Sequence, residues 1–334
     1  MTLGNGASDV VVVGASAGGV EALTQFASGL SPDLPYGLLV VLHMPAAAPS
    51  VLPRIIDRNG PLPAVPASHG VPIEAGTIYV AIPNQHLLVY DRRIMLSGGP
   101  TENGHRPAIN ALFRSVALAY GQYAVGVLLS GVLDDGVLGL AAIRSRGGTT
   151  MAQSRSDALF AAMPLNAIDA GVVDHETPAA DMGRLLKQLA DRVLEEREMQ
   201  PDPRMELENR IAMARRFSTE FDTKRLGPPS GYTCPDCNGS LIAISDGNYR
   251  CRVGHAWTAT ALLRARDEEF ENALWAALRS LQEKAKLSRR LAGQVSRGMM
   301  SERYNALAEE AENAMTVLSE RLTGLQPQPG DPGG

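Results

Sequence analysis

Cysteine is scarce in this chain, with three among 334 residues, all between positions 234 and 251. So few, and odd in number, they exclude a disulfide-stapled secreted scaffold. No apolar stretch reaches the roughly 20 residues that span a bilayer. The first residues lack a charged start followed by an apolar signal core, so a cytoplasmic protein without membrane insertion is expected. A net charge of -5 gives no general reason to expect nucleic-acid binding. Aromatics are only 5%, which fits parallel strands rich in Val, Leu and Ala between helices. What remains is ample apolar material, 45% of a chain longer than one core usually serves, so more than one domain is expected. There is no fixed-period repeat.

The apolar run at residues 10–13 leads directly into Gly14-Ala15-Ser16-Ala17-Gly18-Gly19. This puts a hydroxyl on a sharp strand-to-helix turn, beside helix N-terminal N–H groups and with small neighbours that leave room for a reacting carbonyl. G-x-S-x-G is the spacing of a nucleophile elbow; a phosphate-cradling loop of a nucleotide-binding fold is the competing reading. Two further strand ends favour the first. Residues 37–42 form an apolar run ending at His43, where a dinucleotide fold would offer an acid for the ribose, and the second glycine of G-x-G-x-x-G is missing. Residues 124–129 form another, leading into Ser130-Gly131-Val132-Leu133-Asp134-Asp135-Gly136. Ser, His and Asp thus each follow a predicted strand at the edge where open α/β sheets place their sites. The order Ser…His…Asp argues against the α/β-hydrolase fold.

Val13-Gly14-Ala15-Ser16-Ala17-Gly18-Gly19, Leu42-His43-Met44-Pro45, His105-Arg106-Pro107 and the Ser130–Gly136 segment, with Met151-Ala152-Gln153 and Met163-Pro164, resemble the CheB-type chemotaxis protein-glutamate methylesterase catalytic domain. The resemblance covers about residues 8–192. It implies an α/β fold, a doubly wound, mostly parallel Rossmann-like sheet, and hydrolysis of glutamate methyl esters on chemotaxis receptors with methanol release. Deamidation of receptor glutamines is implied as well, since an amide yields the same acyl-enzyme. Ser16 would be the nucleophile, His43 the proton carrier, and Asp135, which like the family's acid directly precedes a glycine, the orienting group; Asp134 is the adjacent alternative. Ala17 and Gly18 N–H groups would form the oxyanion hole, with help from the Val132–Leu133 loop. His105 and Arg106 would bind the substrate carboxylate or merely start the following helix. No cofactor is implied for catalysis. Ala17, where the commoner family form has Thr, and Val132-Leu133-Asp134, in place of Met-Gly-Ala, depart from the pattern and leave substrate preference and rate open. Relatives usually carry an N-terminal phospho-receiver domain; with a catalytic strand starting about ten residues from Met1, none is expected here. Hydrolysis of another ester, a catalytically weak signalling scaffold and nucleotide binding are the alternatives.

Cys234-Pro235-Asp236-Cys237, a thirteen-residue interval and Cys251-Arg252-Val253-Gly254-His255 make a second motif. Three thiolates and one imidazole complete a tetrahedral Zn²⁺ set, and four protein ligands predict a structural ion. The interval reads as a hairpin turning at Asp246-Gly247, so residues 231–258 look like a zinc ribbon. Around it, residues 181–198 read as an amphipathic helix closing the esterase domain, 193–230 as a helical linker with a charged helix at 206–216, and 227–231 as a plain linker. Residues 259–325 read as a helical hairpin broken at Gly298, a candidate for dimerisation or partner docking, and 326–334 as a disordered tail. His86 reads as an ordinary hairpin residue, and His69 and His175 as loop positions.

Overall fold

The computed structural model describes residue 7 and residues 9–47, 49–192, 200–213, 227–245 and 247–324. The chain divides into two compact units, residues 1–262 and residues 263–334.

The first unit is built on a parallel sheet. Its strands are β1 (Val10–Ala15), β2 (Gly37–Leu42), β3 (Ala64–Pro66), β4 (Ile78–Val80), β7 (Ala124–Leu128), β8 (Thr149–Gln153) and β9 (His175–Thr177). Their spatial order is β3-β4-β2-β1-β7-β8-β9, every pair parallel. Parallel neighbours need crossover connections, and helices α1 (Gly19–Ser28), α2 (Leu52–Asn59), α3 (Ile109–Tyr120), α4 (Val137–Ser145) and α5 (Ala162–Asp169) lie in all of them but the β3–β4 loop, while α6 (Met182–Ala190) follows the last strand. Alternation along β1 serves two cores. Val11, Val13 and Ala15 face a cluster with Leu23, Phe26 and Leu186, while Val10 and Val12 face one with Leu112, Phe113 and Leu140. Burial on both faces explains why the central strands read as continuous apolar runs. An antiparallel hairpin, β5 (His86–Tyr90) with β6 (Arg93–Ser97), packs on the α3 side.

His175 begins β9 rather than lying in a loop, and His69 accepts a hydrogen bond from the Leu96 N–H through Nδ1 at 3.2 Å. The predicted helix at 181–198 is present as α6 to Ala190; residues 193–199 lie outside the described residues. The charged helix appears as α7 (Pro203–Ala212), capped by the Asp202 carboxylate accepting from the Met205 N–H. It is no mere connector: Ile211 and Ala212 are buried, and it packs on α3.

A four-stranded antiparallel sheet follows, β10 (Pro229–Thr233), β11 (Ser240–Ser245), β12 (Asn248–Cys251) and β13 (Ala256–Thr258), in that order. Residues 229–231, expected to be linker, instead open its edge strand, where proline and glycine are tolerated. The expected hairpin forms, with Ser245 opposite Asn248 and Gly247 at φ 71 in the turn. This sheet packs within the same compact unit as the parallel sheet.

The second unit holds most of α8 (Ala259–Gln294) and all of α9 (Met299–Gly324). Gly298, at φ 154, separates them as expected. Ala285, Ala292, Ala308 and Ala311 are buried between their facing turns, and Arg289 pairs with Glu312 at 2.8 Å. Leu263, Phe270 and Trp275 on α8 are exposed.

Candidate active site and metal-ligating cluster

Neighbouring strands β2, β1 and β7 deliver the three expected side chains to one sheet edge. Ser16 follows β1, and His43 follows β2 in register with it, its N–H donating to the Ala15 carbonyl at 3.1 Å. The loop after β7 carries Asp135. His43 Nδ1 lies 3.1 Å from Ser16 Oγ, and His43 Nε2 lies 2.7 Å from Asp135 Oδ2. Asp134 is not in this series; its Oδ1 accepts from Thr258 Oγ1 at 2.8 Å. The elbow is pinned from both sides. Ser16 N–H donates to the Ser130 carbonyl at 2.9 Å, and Ser130 Oγ donates to the Ala17 carbonyl at 2.8 Å. Gly18 sits at φ 68, and a Cβ there would fall 2.8 Å from Ser130 Oγ, so the turn requires glycine.

Asp135 does double duty. Its Oδ2 accepts from the Ile109 N–H at 2.8 Å and its Oδ1 from the Asn110 N–H at 3.1 Å, satisfying the start of α3, whose own N-cap residue Ala108 offers no side-chain bond. Burial would raise the Asp135 carboxyl, but the His43 hydrogen bond, the His43 and His105 charges and the Ile109 N–H outweigh it. The group is held below the usual carboxylate range. The loop is further held by Asn110, whose Oδ1 accepts from the Gly136 and Gly139 N–H groups.

An open cleft beside His43 is lined by Met44, Pro45, Ala46, Asn84, Thr101, Gly104, His105 and Arg106. His105 stacks on His43, ring centroids 3.7 Å apart and planes 18° off parallel. Arg106 donates from Nε to Asn84 Oδ1 at 3.1 Å and from Nη1 to the Gly99 carbonyl at 2.9 Å, so its head is committed to shaping the loop. Neither residue starts the helix, which begins at Ile109. Val132 is half-buried next to Leu133, whose φ of 64 bends the loop. His86 is fully buried, Nε2 2.8 Å from the Pro100 carbonyl and Nδ1 accepting from the Ala108 N–H, a tie between hairpin and cleft loop.

Cys234, Cys237, Cys251 and His255 converge, with their ligand atoms all within 4.8 Å of one another. Cys237 Sγ is 3.7 Å from Cys251 Sγ, too far for a disulfide. His255 Nδ1 is 3.7 Å from Cys234 Sγ and 3.5 Å from Cys251 Sγ. A tetrahedron with Zn–S of about 2.3 Å and Zn–N of about 2.0 Å has S···S edges near 3.8 Å and S···N edges near 3.5 Å. The donor set and its spacing therefore fit a metal ion.

Sequence reasoning missed a buried ion cluster tying the cleft loop and helices α3 and α7 to β12. Glu102 is paired with Arg114 of α3 and lies 3.6 Å from Arg250 of β12, while Glu208 of α7 lies 3.4 Å from Arg114 and 3.3 Å from Arg250. Arg250 is only 1% exposed. Burial pushes the Glu102 carboxyl up, but the Arg114 and Arg250 charges and the Arg114 hydrogen bond overcome it and bring it down to about 2. One signal was available: an arginine in the middle of the mostly apolar helix α3 needs a buried partner.

A hydroxyl, an imidazole and a carboxylate bonded in series at the carboxyl edge of a parallel sheet form the side-chain arrangement of a serine hydrolase on an α/β frame. The chain belongs to the CheB methylesterase family, whose model matches residues 11–186. A protein-glutamate methylesterase/protein-glutamine glutaminase of Geobacter metallireducens is 37% identical over 181 residues, covering 53% of this chain and 50% of that protein. One of Caulobacter vibrioides is 36% identical over 186 residues, covering 54% of each. The chain thus spans about half the length of the curated relatives it matches. The crystal structure of the Thermotoga maritima CheB methylesterase catalytic domain matches with a TM-score of 0.52 at 27% identity, covering 54% of this chain and 98% of that one. The family match ends before α7 and the Cys/His cluster. Among the described residues no helix is long and apolar enough to cross a membrane.

Proposed function

We propose that this chain is a protein-glutamate methylesterase acting on methylated chemotaxis receptors in the cytoplasm. The observation that carries it is the series Ser16 Oγ, His43, Asp135, at 3.1 and 2.7 Å, in a family of methylesterases. His43 Nδ1 takes the Ser16 proton as Oγ attacks the γ-carbonyl of a glutamate methyl ester, and the proton then passes to the departing methanol. Water, deprotonated by the same nitrogen, releases the glutamate and restores Ser16. Asp135 fixes the ring so that Nδ1 faces Oγ and stabilises the imidazolium. Because Ser16 N–H is already bonded to Ser130, the oxyanion falls to the Ala17 and Gly18 N–H groups at the start of α1, with the Val132–Leu133 loop opposite. His105 and Arg106 shape the entry for the substrate carboxyl. A receptor glutamine gives the same acyl-enzyme with ammonia as leaving group, so glutaminase activity accompanies the esterase.

The ion at Cys234, Cys237, Cys251 and His255 is structural Zn²⁺: four protein donors leave no open position for chemistry. The exposed Leu263, Phe270 and Trp275 support a partner-docking or dimerisation role for α8. Methanol release from methylated receptor cytoplasmic fragments tests the function. Wild type is expected to release methanol, while Ser16→Ala and His43→Ala, both folded, release none. Equal release by wild type and Ser16→Ala would refute the assignment.

A further inference from the structure

The Cys/His cluster and the catalytic cleft share one loop. Cys237, Cys251 and His255 each have an immediate chain neighbour, respectively Asp236, Arg250 and Ala256, that engages residues 101–103. Thr101 Oγ1 donates to Asp236 Oδ2 at 2.7 Å. Arg250 donates to the Gly254 carbonyl at 2.7 Å and lies 3.6 Å from Glu102. Ala256 N–H donates to the Thr101 carbonyl at 3.2 Å, and the Asn103 N–H donates to the Ala256 carbonyl at 2.8 Å. Next in β13, the Thr258 N–H donates to Asn103 Oδ1 at 2.9 Å and its hydroxyl to Asp134, the residue before Asp135. Glycines allow this close seam: a Cβ on Gly254, at φ 111, would fall 2.6 Å from an Ile211 methyl and 3.0 Å from Pro100. The same loop then runs through Gly104 to His105, which lies flat on His43, and Arg106.

We propose that a divalent cation of the Zn²⁺ type at Cys234, Cys237, Cys251 and His255 is the pin of the cleft wall, so that its occupancy governs ester hydrolysis from outside the catalytic series. This rests on the metal reading given above. A knuckle of short chain with few buried apolar residues owes its folded form to its ion. With the ion bound, Asp236, Arg250 and Ala256 stand where loop 101–103 needs them, and His105 is held against His43. When it is lost, those three anchors go together, while Ser16, His43 and Asp135 keep their own strand and helix supports. Metal availability thereby becomes a control on the enzyme, exerted through a segment that the family match does not include.

The test uses the full chain as purified, stripped by chelation under reducing conditions, and reloaded with Zn²⁺ or Co²⁺. Metal per chain and cobalt–thiolate absorption report the site. Diethyl pyrocarbonate modification of His105, read by mass spectrometry, reports the loop without relying on turnover. One ion per chain is expected. Stripping should lower kcat/KM by about 10- to 100-fold, the scale for a displaced positioning element, and expose His105 to modification, with both reversed by Zn²⁺. Asp236→Ala keeps all four ligands; it should retain the ion yet raise KM and His105 reactivity. Failure to bind Zn²⁺ or Co²⁺ would overturn the metal reading and this inference with it. A stoichiometric ion whose removal leaves kcat/KM and His105 reactivity unchanged would overturn the coupling alone. If stripping unfolds the unit, Asp236→Ala decides, and wild-type KM and His105 reactivity there would refute the pin. If wild type hydrolyses no receptor ester, His105 reactivity still decides the coupling while the esterase assignment falls separately.

Discussion

Glu102→Gln removes one negative charge from a buried group that also holds two guanidiniums, and its cost can be worked from the structure. Burial disfavours the Glu102 carboxylate, yet Arg114 and Arg250 bring it from the ordinary 4.5 to about 2. At about 1.4 kcal/mol for each tenfold, that drop corresponds to about 3 kcal/mol of stability carried by the ionised form. Breaking a buried ion pair by neutralising one partner costs about 3–5 kcal/mol in general, and the two figures agree. The sign follows from the lowered value. The stabilisation is complete above the unfolded carboxyl's range and is lost as pH falls from about 4.5 toward about 2. Urea unfolding followed by Trp257 fluorescence is the assay, since this buried tryptophan lies in β13, beside Gly104 of the cleft loop. Glu102→Gln should be less stable than wild type by about 3 kcal/mol at pH 7, and the gap should shrink by about 1 kcal/mol at pH 3.5. A difference under about 1 kcal/mol at pH 7, or one that does not narrow on acidification, would refute the reasoning.

Further outcomes follow from the site. Asp135→Asn should lower kcat for ester hydrolysis by about 10⁴-fold, because an amide cannot hold the imidazole in the required tautomer; steady-state kinetics on the folded variant checks it. With Asp135 held below the ordinary 3.8, its ionised form persists as pH falls, and its stabilising contribution disappears only below that value. Comparing wild-type and Asp135→Asn unfolding between pH 5 and pH 3 measures this, and a wild-type advantage already lost at pH 5 would contradict it. His105→Ala should reduce kcat/KM by about 3- to 10-fold through loss of the stack, while His105→Phe keeps most of the activity; equal losses in both would show that the ring face is irrelevant. Gly18→Ala should destabilise the fold by about 1–2 kcal/mol, since its backbone is left-handed and Ser130 Oγ stands 2.8 Å from the new carbon; a thermal melt reads it.

Strands β1, β2 and β7 were legible because burial on both faces leaves unbroken apolar runs, and each ends at a residue that cannot continue them: Ser16, His43 and the Ser130–Gly136 loop. The helix expected after His105 and Arg106 is present as α3. The C-x2-C and C-x3-H spacings carried the cluster, since each pair, three or four positions apart, converges locally and the β11–β12 hairpin brings the two pairs together. The rest depended on distant partners. Residues 229–231 looked like linker because their proline and glycines speak of turns, and only pairing with β11 makes them strand. Only the glycine after Asp135 favoured it over Asp134 in sequence, and the structure separates them by partner, Thr258 for one and His43 for the other. The Glu102–Arg250 contact spans nearly 150 residues and leaves no periodic trace. On α8 the expected helix forms, but Leu263 and Phe270 are exposed, because periodicity marks a face without naming what covers it.

Asp135 closes the catalytic series and also holds the first two free amides of α3, the helix that packs across the centre of the sheet. Chemistry and architecture therefore draw on a single carboxylate, and a variant at this position reads out both at once. Ser16 carries no such burden, for its hydroxyl faces His43 while its backbone alone ties the elbow to Ser130. A lineage that gave up hydrolysis but kept the scaffold would shed the serine hydroxyl first and retain the aspartate, leaving a descendant that still looks two-thirds equipped for a reaction it has abandoned.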